Sequence, residues 1–452
     1  MTKPLHVLVL AAGKGTRMKN GRAKVLHPLA GRTLLDHVLA VAGELQPSRV
    51  VLVLARGMDE VAGSARAGGL PLSVAIQEPQ LGTGHAVQVA VADLPAEGEV
   101  LVLYGDTPLI RAETLRALLD ARRQNDAAVA VLGMNPPDRT GYGRFLERDG
   151  QLVAIVEERH ADAELKRTGL CNAGVMVMDG ARLPELLAAV PHRPEKNEYY
   201  LTDIVELARA RGWACVATEG PWQDGVGINS QVQLAEAYRL LQERLRLAAL
   251  EAGVVMTSPE TVHLSADTMI EPGAIIEPYV VVGPKVRIGA NAHVQAFSHL
   301  ADCTVGETAD IGPFARIRPG SRIGIGAKVG NFVETKNAQL EPGAKVNHLS
   351  YIGDASVGAQ ANVGAGTITC NYDGFAKHRT EIGAGAFIGS NTALVAPVRI
   401  GAGALIGAGS VITADVPADA LAVTRAPQSV RPGHAQTLRA RFSERKSQGK
   451  QE

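Results

Sequence analysis

Aliphatic residues return at every sixth position through much of the C-terminal half: Leu264, Ile270, Ile276, Val282, Ile288, Val294 and Leu300, and later Ile382, Ile388, Leu394, Ile400, Ile406 and Ile412. A helix repeats its faces about every 3.6 residues and a half-buried strand about every 2, so neither keeps step with six. The period predicts a parallel β-helix of triangular section, one aliphatic side chain per short rung pointing into the prism. Glycine often follows that side chain, as in Val282-Gly283, Ile288-Gly289, Ile352-Gly353, Val363-Gly364 and Ile388-Gly389. These glycines are expected to supply the permissive φ of a turn. The period slips between Leu300 and Val305, resumes through Ile311, Ile317, Ile323 and Val329, and is re-phased again along Leu340, Val346, Ile352, Val357 and Val363. Each slip is expected at a corner. From Thr369 to Glu381 a polar segment breaks the repeat; it cannot be packed in a narrow prism and must loop outward, where such loops commonly line a binding face.

The first half has another rhythm. Apolar runs at 5–10 (LHVLVL), 49–55, 99–110, 127–134 and 173–179 alternate with helical patterns, which predicts an α/β domain with a mostly parallel sheet. The first run leads directly into Ala11-Ala12-Gly13-Lys14-Gly15-Thr16-Arg17-Met18. Glycines there let backbone N–H groups approach an anion, and Lys14 and Arg17 offer charge-assisted hydrogen bonds, so the turn reads as a phosphate cradle. It has the spacing of neither a P-loop nor a dinucleotide fingerprint. The strand at 100–104 runs into Gly105-Asp106, placing a carboxylate where open α/β sheets bind ligands. Such an aspartate could cap a helix. Beside a phosphate cradle it is a candidate Mg2+ ligand, because that ion is held by one or two oxygen side chains plus substrate phosphates. Residues 230–253 form an amphipathic helical pattern with Leu234, Tyr238, Leu241 and Leu245 on one face, read as a connector whose apolar stripe packs. The divisions are therefore 1–229, 230–253, 254–432 and a polar tail at 433–452, expected as a surface helix or disorder.

At 452 residues the chain has room for two or three domains. Lys plus Arg and Asp plus Glu both total 46, so no net charge argues for nucleic acid or an anionic membrane surface, and small molecules are the expected partners. The N-terminal apolar run, soon interrupted by Lys14 and Arg17, is too short for a signal peptide or membrane span, and the cytoplasm is the expected location. The four cysteines, Cys171, Cys215, Cys303 and Cys370, lack CxxC spacing and read as reduced structural thiols rather than a zinc site.

LAAGKGTRM, Lys24 in AKVLH, Gln77, Leu81-Gly82-Thr83-Gly84-His85-Ala86 and Tyr104-Gly105-Asp106 resemble the sugar-nucleotide pyrophosphorylase family. Together with NFVETK, HLSYIGD and GAGTITCNYDG in the repeat half, the chain resembles, over residues 5 to about 430, the bacterial bifunctional N-acetylglucosamine-1-phosphate uridyltransferases/glucosamine-1-phosphate acetyltransferases. The resemblance implies a Rossmann-like nucleotidyltransferase domain followed by a left-handed parallel β-helix. The chain departs from the family at Ala23, where proline usually precedes the lysine, and in its tail.

For the first site the resemblance implies uridylyl transfer from UTP to N-acetylglucosamine 1-phosphate. Asp106 and Asn229 would hold Mg2+, while Arg17 and Lys24 would neutralise phosphates. The backbone at Leu10, Ala11, Ala12 and Gly13, with Gln77, Gly82 and Thr83, would select uracil. Tyr104 and Gly105 belong to the same nucleotide and sugar site, and Gly143, Glu157 and Asn172 match sugar-binding positions. For the second site it implies acetyl transfer from acetyl-CoA to glucosamine 1-phosphate. His348 matches the catalytic base, and an imidazole's ordinary pKa of about 6.5 suits that task. Arg318 and Lys336 would bind the substrate phosphate, with Tyr351, Asn362, Asn371 and Tyr372 completing the sugar pocket. Ala365, Ser390, Ala408 and Arg425 match CoA contacts, again with Asn371 and Tyr372. Family members are homotrimers that build this site between prisms, so a homotrimer is implied. Two other readings are weighed: a single-activity nucleotidyltransferase with a scaffolding solenoid, and a non-enzymatic sugar-binding scaffold. His348, Lys336 and the polar insertion argue against the former, and Arg17, Lys24 and Asp106 together against the latter.

Overall fold

The computed structural model describes residues 3–448 except Lys14, Asn20, Ala67, Gly68, Asp93 and Ala96. Lys14, one of the two cations expected in the phosphate cradle, thus lies outside the described residues. The chain divides into two compact units, residues 1–249 with 264–267, and residues 250–263 with 268–452.

The first unit is built on a nine-stranded sheet. Its strands are β1 (Leu5–Leu10), β2 (Arg49–Leu54), β3 (Leu72–Ile76), β4 (Glu99–Tyr104), β5 (Val129–Met134), β6 (Arg144–Arg148), β7 (Gln151–Val156), β8 (Cys171–Asp179) and β9 (Cys215–Glu219). They lie in the order β9-β5-β8-β4-β1-β2-β3, with β6 paired to β8 and β7 to β6. The predicted parallel arrangement holds from β3 through β4. It fails at β8, which runs antiparallel to both β4 and β5. The sheet is therefore mixed, and the hydrophobic pattern of β8, buried from Val175 to Asp179, carries no mark of its direction.

All six residues of β1 are buried because helices cover both faces of the sheet, the reason such strands read as unbroken apolar runs. Val7, Val9, Leu52 and Leu103 pack on one side with Leu35 and Val38 of the helix Leu34–Glu44. Leu8, Leu10, Val51 and Val102 pack on the other with Val87 and Ala90 of the helix Gly82–Val91. The helix Gln231–Glu251 sets Leu234, Tyr238, Leu241 and Leu245 against Met18, Leu29, Leu34 and Leu109. Its stripe packs as expected, on the first unit, which includes the helix through Ala249.

The second unit is a parallel β-helix of three sheets with ten, nine and eight strands. Successive turns superimpose the inward residues: Ile276 on Val294, Val294 on Ile311, Ile311 on Val329, Val329 on Val346. Val294, Leu300, Ile311 and Ile317 have no exposed surface. The slip after Leu300 falls at a corner, where Asp302 takes φ 43°. The expected role of the following glycines is corrected by the structure. Gly283, Gly289 and Gly364 keep ordinary φ; the left-handed residues lie further round the corner, at Lys285 (58°), Asn291 (56°) and Gly366 (73°). A Cβ on Gly283 would stand 2.9 Å from the Leu300 carbonyl oxygen, on Gly289 2.7 Å from the Glu307 nitrogen, and on Gly364 2.6 Å from the Ile388 oxygen. These glycines let one rung approach the next.

The interruption of the repeat is an outward loop after Asn371, with Phe375 97% exposed, braced by a bridge between Tyr372 and Lys377. The tail forms the exposed helix His434–Gln448. The four cysteines are unbridged. Burial pushes the thiols of Cys171, Cys215 and Cys303 up, the latter two to about 11 and about 12, so all three stay protonated packing groups.

Candidate active sites

The order β3-β2-β1-β4 puts a topological switch between β1 and β4, and the chain leaves both strands at their carboxyl ends beside one another. Gly105 N donates to the Leu10 carbonyl at 3.0 Å, and Ala11 N to Val53 at 2.9 Å, which fixes the turn after β1 against its neighbours. A cleft of about 360 Å3 opens there, lined by Leu10, Ala11, Ala12, Gly13, Lys24, Gln77, Gly82, Thr83, Tyr104 and Asp106, together with Gln80 and Glu198. Ten residues named from the sequence are thus neighbours in space. Gly15, at φ 62°, is where a Cβ would stand 2.6 Å from Lys24 Cβ, so the turn closes over the lysine only with glycine.

The Lys24 ammonium reaches the Asp106 carboxylate and donates to Asn229 Oδ1 at 3.0 Å. Both Lys24 and Asp106 are largely buried. Asn229 is held near because Ile228 N donates to the Asp106 carbonyl at 2.9 Å. A carboxylate and an amide oxygen, facing one cation at strand ends, are donors of the kind a divalent ion takes. Burial, with Asp106 adding to it, drives the Tyr104 phenol well above its ordinary pKa, so Tyr104 remains a neutral wall. Gly105 lies behind the lining, where a Cβ would stand 3.1 Å from Ala11 Cβ.

The residues matched to sugar binding gather beside this cleft rather than in its lining. Asn172 N donates to the Gly143 carbonyl at 2.9 Å, and Asn172 Oδ1 accepts from Gly174 N at 2.9 Å. Gly174, in turn, presses on the Tyr104 ring, 2.9 Å from where its Cβ would be. Glu157 is half-buried directly after β7. Arg17 is not brought in: it is exposed on the turn Thr16–Met18, whose flanking residues Gly15 and Lys19 are both left-handed. Gln80, whose side chain donates to the Ala12 carbonyl, and Glu198 escaped the sequence reading; only the position of Gln80 beside Leu81-Gly82 could have flagged it.

On the β-helix the named residues fall into two groups. One is a column up a single corner, made by stacking: Gly366 N donates to the His348 carbonyl at 3.2 Å, Asn391 N to Ala365 at 2.7 Å and Gly409 N to Ser390 at 2.8 Å. Arg425 closes it by donating to the Ala408 carbonyl. The other group lies at the far end of the adjoining sheet. Lys336 Nζ stands 3.5 Å from Asp354, which also accepts from Asn371 Nδ2 at 2.5 Å, and Arg318 pairs with Glu334 at 2.7 Å. Lys377, missed from sequence, joins from the polar loop, and contact with Lys336 draws its pKa below the usual lysine value. Tyr351 begins the strand Tyr351–Gly353 of that sheet; Asn362 starts a rung in register with Lys345 and Phe387. Tyr372 is exposed on the loop, its hydroxyl donating to Gly374 at 2.6 Å. No side-chain hydrogen bond or ion pair among the described residues joins the two groups.

Residues 7–168 match the MobA-like NTP transferase domain, and residues 267–302 and 379–414 match the bacterial transferase hexapeptide (six repeats). A curated relative from Rhodospirillum rubrum, named Bifunctional protein GlmU, is 56% identical over 442 residues, covering 97% of this chain and 98% of its own length. The chain belongs to the bifunctional GlmU family. Relatives of the same name from Rhizorhabdus wittichii and Azorhizobium caulinodans are 57% identical over 447 residues (98% of this chain, 97% of theirs) and 53% identical over 440 residues (97% and 98%). The GlmU-family fold here is a Rossmann-like nucleotidyltransferase domain followed by a left-handed parallel β-helix.

Proposed function

We propose that this chain makes UDP-N-acetylglucosamine for envelope polymers in two reactions, acetyl transfer to glucosamine 1-phosphate and then uridylyl transfer to the product. Membership of the bifunctional family supports both activities. The observation that carries the first-unit chemistry is the convergence of Lys24, Asp106 and Asn229, distant in sequence, at the ends of β1 and β4.

In uridylyl transfer a phosphate oxygen of N-acetylglucosamine 1-phosphate attacks the α-phosphorus of UTP, and the bond to the departing pyrophosphate breaks. Both partners are anionic, so positioning and charge neutralisation do most of the work. Asp106 and Asn229 are the residues that would hold Mg2+, which when bound would neutralise triphosphate charge. Lys24, already at that spot, holds the attacking and leaving phosphates, and Arg17 turns inward from its exposed position to meet them. Gln77, oriented by its bond to the Gly82 carbonyl at 2.9 Å, selects uracil with the backbone around Leu10 to Gly13 and Thr83. Gly143, Glu157 and Asn172 take the sugar.

In acetyl transfer His348 accepts a proton as the amine of glucosamine 1-phosphate attacks the thioester carbonyl. The C–N bond forms, the C–S bond breaks, and CoA leaves as a thiol with the proton returned to it. Arg318, Lys336 and Lys377 bind the phosphate; Tyr351, Asn362, Asn371 and Tyr372 shape the sugar pocket. The column Ala365, Ser390, Ala408 and Arg425 receives acetyl-CoA. The separation of this column from the cations is the reason to propose a homotrimer, in which a neighbouring prism supplies the opposite wall. The proposed location is the cytoplasm, where both co-substrates are made; no helix among the described residues is long and apolar enough to cross a membrane.

The test is free-thiol release from acetyl-CoA with glucosamine 1-phosphate, without UTP or Mg2+, beside pyrophosphate release from UTP with N-acetylglucosamine 1-phosphate. Asp106→Ala should abolish only pyrophosphate release, and His348→Ala only thiol release. A folded wild-type trimer without thiol release would reduce the solenoid to a scaffold.

A further inference from the structure

The β-helix contains two rungs that differ from the rest. Among the described rungs, strands Lys328–Asn331 and Lys345–His348 are four residues long, whereas the others have two or three. They pair in parallel with Lys328 on Lys345, Val329 on Val346 and Asn331 on His348. Gly330 makes the close approach possible, since a Cβ there would collide with the Asn347 carbonyl oxygen. The extension brings Asn331 Oδ1 to 2.5 Å from Nδ1 of His348.

We infer that Asn331 is a positioning residue for acetyl transfer: it fixes His348 in the tautomer whose Nε2 carries the free lone pair. The inference rests on the proposed base role of His348. An amide oxygen only accepts, so Nδ1 must be the protonated donor, and in a neutral imidazole the other nitrogen is then the base. Without this acceptor the ring could rotate or place its proton on Nε2, and the amine would face an N–H instead of a lone pair. His348 is exposed, so packing does not fix the ring. Asn331 is itself immobilised by the rung. The charged groups on the stacked rungs are Lys328 and Lys345, in register with one another, and Asp310, which holds Lys328 at 3.0 Å from the turn before. All three lie further back along their strands than the Asn331–His348 pair.

The experiment compares Asn331→Ala, Asn331→Asp and His348→Ala in the full chain, following thiol release against pH and the 15N signals of the histidine rings. Uridylyl transfer and trimer content serve as folding controls. Asn331→Ala should lower kcat roughly ten- to a hundredfold, part of what a general base contributes, with KM for both substrates within about twofold. The His348 ring, identified by its loss in His348→Ala, should shift toward the Nε2–H form. Asn331→Asp should recover much of kcat and move the acidic limb of the profile up by about one pH unit, because a carboxylate at that distance favours imidazolium. An Asn331→Ala protein with unchanged kcat and unchanged ring signals would overturn the inference. Thiol release that survives His348→Ala would overturn the base role itself, and this inference with it.

Discussion

Lys377 shows how one side chain gains a property from its neighbour. It projects from the polar loop onto Lys336, and the contact lowers its pKa below that of an ordinary lysine. A lowered pKa means the ammonium loses its charge earlier as pH rises. Phosphate affinity should therefore fall with pH below the usual lysine range of about 10.4. The expected result is a KM for glucosamine 1-phosphate that begins to climb at a lower pH than an ordinary lysine would give, measured by thiol release. In Lys377→Ala that KM should be severalfold higher at neutral pH and its alkaline rise should be lost. A rise that persists unchanged in the variant would assign the titration elsewhere. At this scale the sequence pointed to residues that sit in short specific motifs, such as Lys24, Asp106 and His348, and the structure brings Lys24 and Asp106 together. It passed over Lys377, Gln80 and Asn331, whose roles depend on which strand lies beside them. Arg17 is the converse: a motif residue that is exposed and does not line the cleft.

Two elements make their stability testable. In the β-helix, Gly389 has ordinary φ but a Cβ there would strike the backbone of Ala408, whereas Gly385 has φ 65° and open space around it. Asparagine tolerates the left-handed region, so Gly385→Asn should unfold within a few degrees of wild type. Gly389→Ala should cost roughly 2 kcal/mol or more, the scale of a core overpacking, read as an earlier loss of acetyltransferase activity on heating. The reverse ranking would mean that φ, not stacking, selects the glycines. In the first unit Asp224, with no exposed surface, accepts from Arg111 at 3.0 Å, from the Thr114 hydroxyl and from Arg244 at 3.4 Å. It ties the helix Gln231–Glu251, which carries Arg244, to the segment leading to Asn229. Asp224→Ala should destabilise that unit by about 2–4 kcal/mol, less than for a wholly buried pair because both arginines keep part of their hydration. Urea unfolding followed by uridylyl transfer would show it as an earlier midpoint, with the β-helix unaffected. Element identity was legible where burial is one-sided or complete: the period of six and the apolar strands. The hairpin β6–β7 was not: β6, carrying Arg144, Glu147 and Arg148, has no continuous apolar run to mark it, the run Leu152–Val156 of β7 gives no sign of the strand it pairs with, and the reversal of β8 leaves no trace in its own composition.

Across the whole molecule the residues proposed for the two chemistries form separate sets, and the second set is split within a single chain. His348 stands at one corner of the prism, while Lys336, with Arg318 and Lys377, clusters beyond the strand Tyr351–Gly353 of the adjoining sheet. If a working acetyl site takes its base from one copy and its phosphate cations from the next, two differently disabled chains can repair each other. His348→Ala and Lys336→Ala proteins, each inactive in thiol release, should regain about a quarter of wild-type activity when co-expressed at equal amounts. In random mixed trimers about one site in four receives an intact residue from both neighbours. Uridylyl transfer should be unchanged throughout, because its residues all belong to one chain's first unit. A base and cations drawn from the same chain predict a different number: every site contains at least one lesion, and co-expression restores nothing. The yield of the mixture thus separates a site built between prisms from one built on a single prism, without reference to the stability of the trimer.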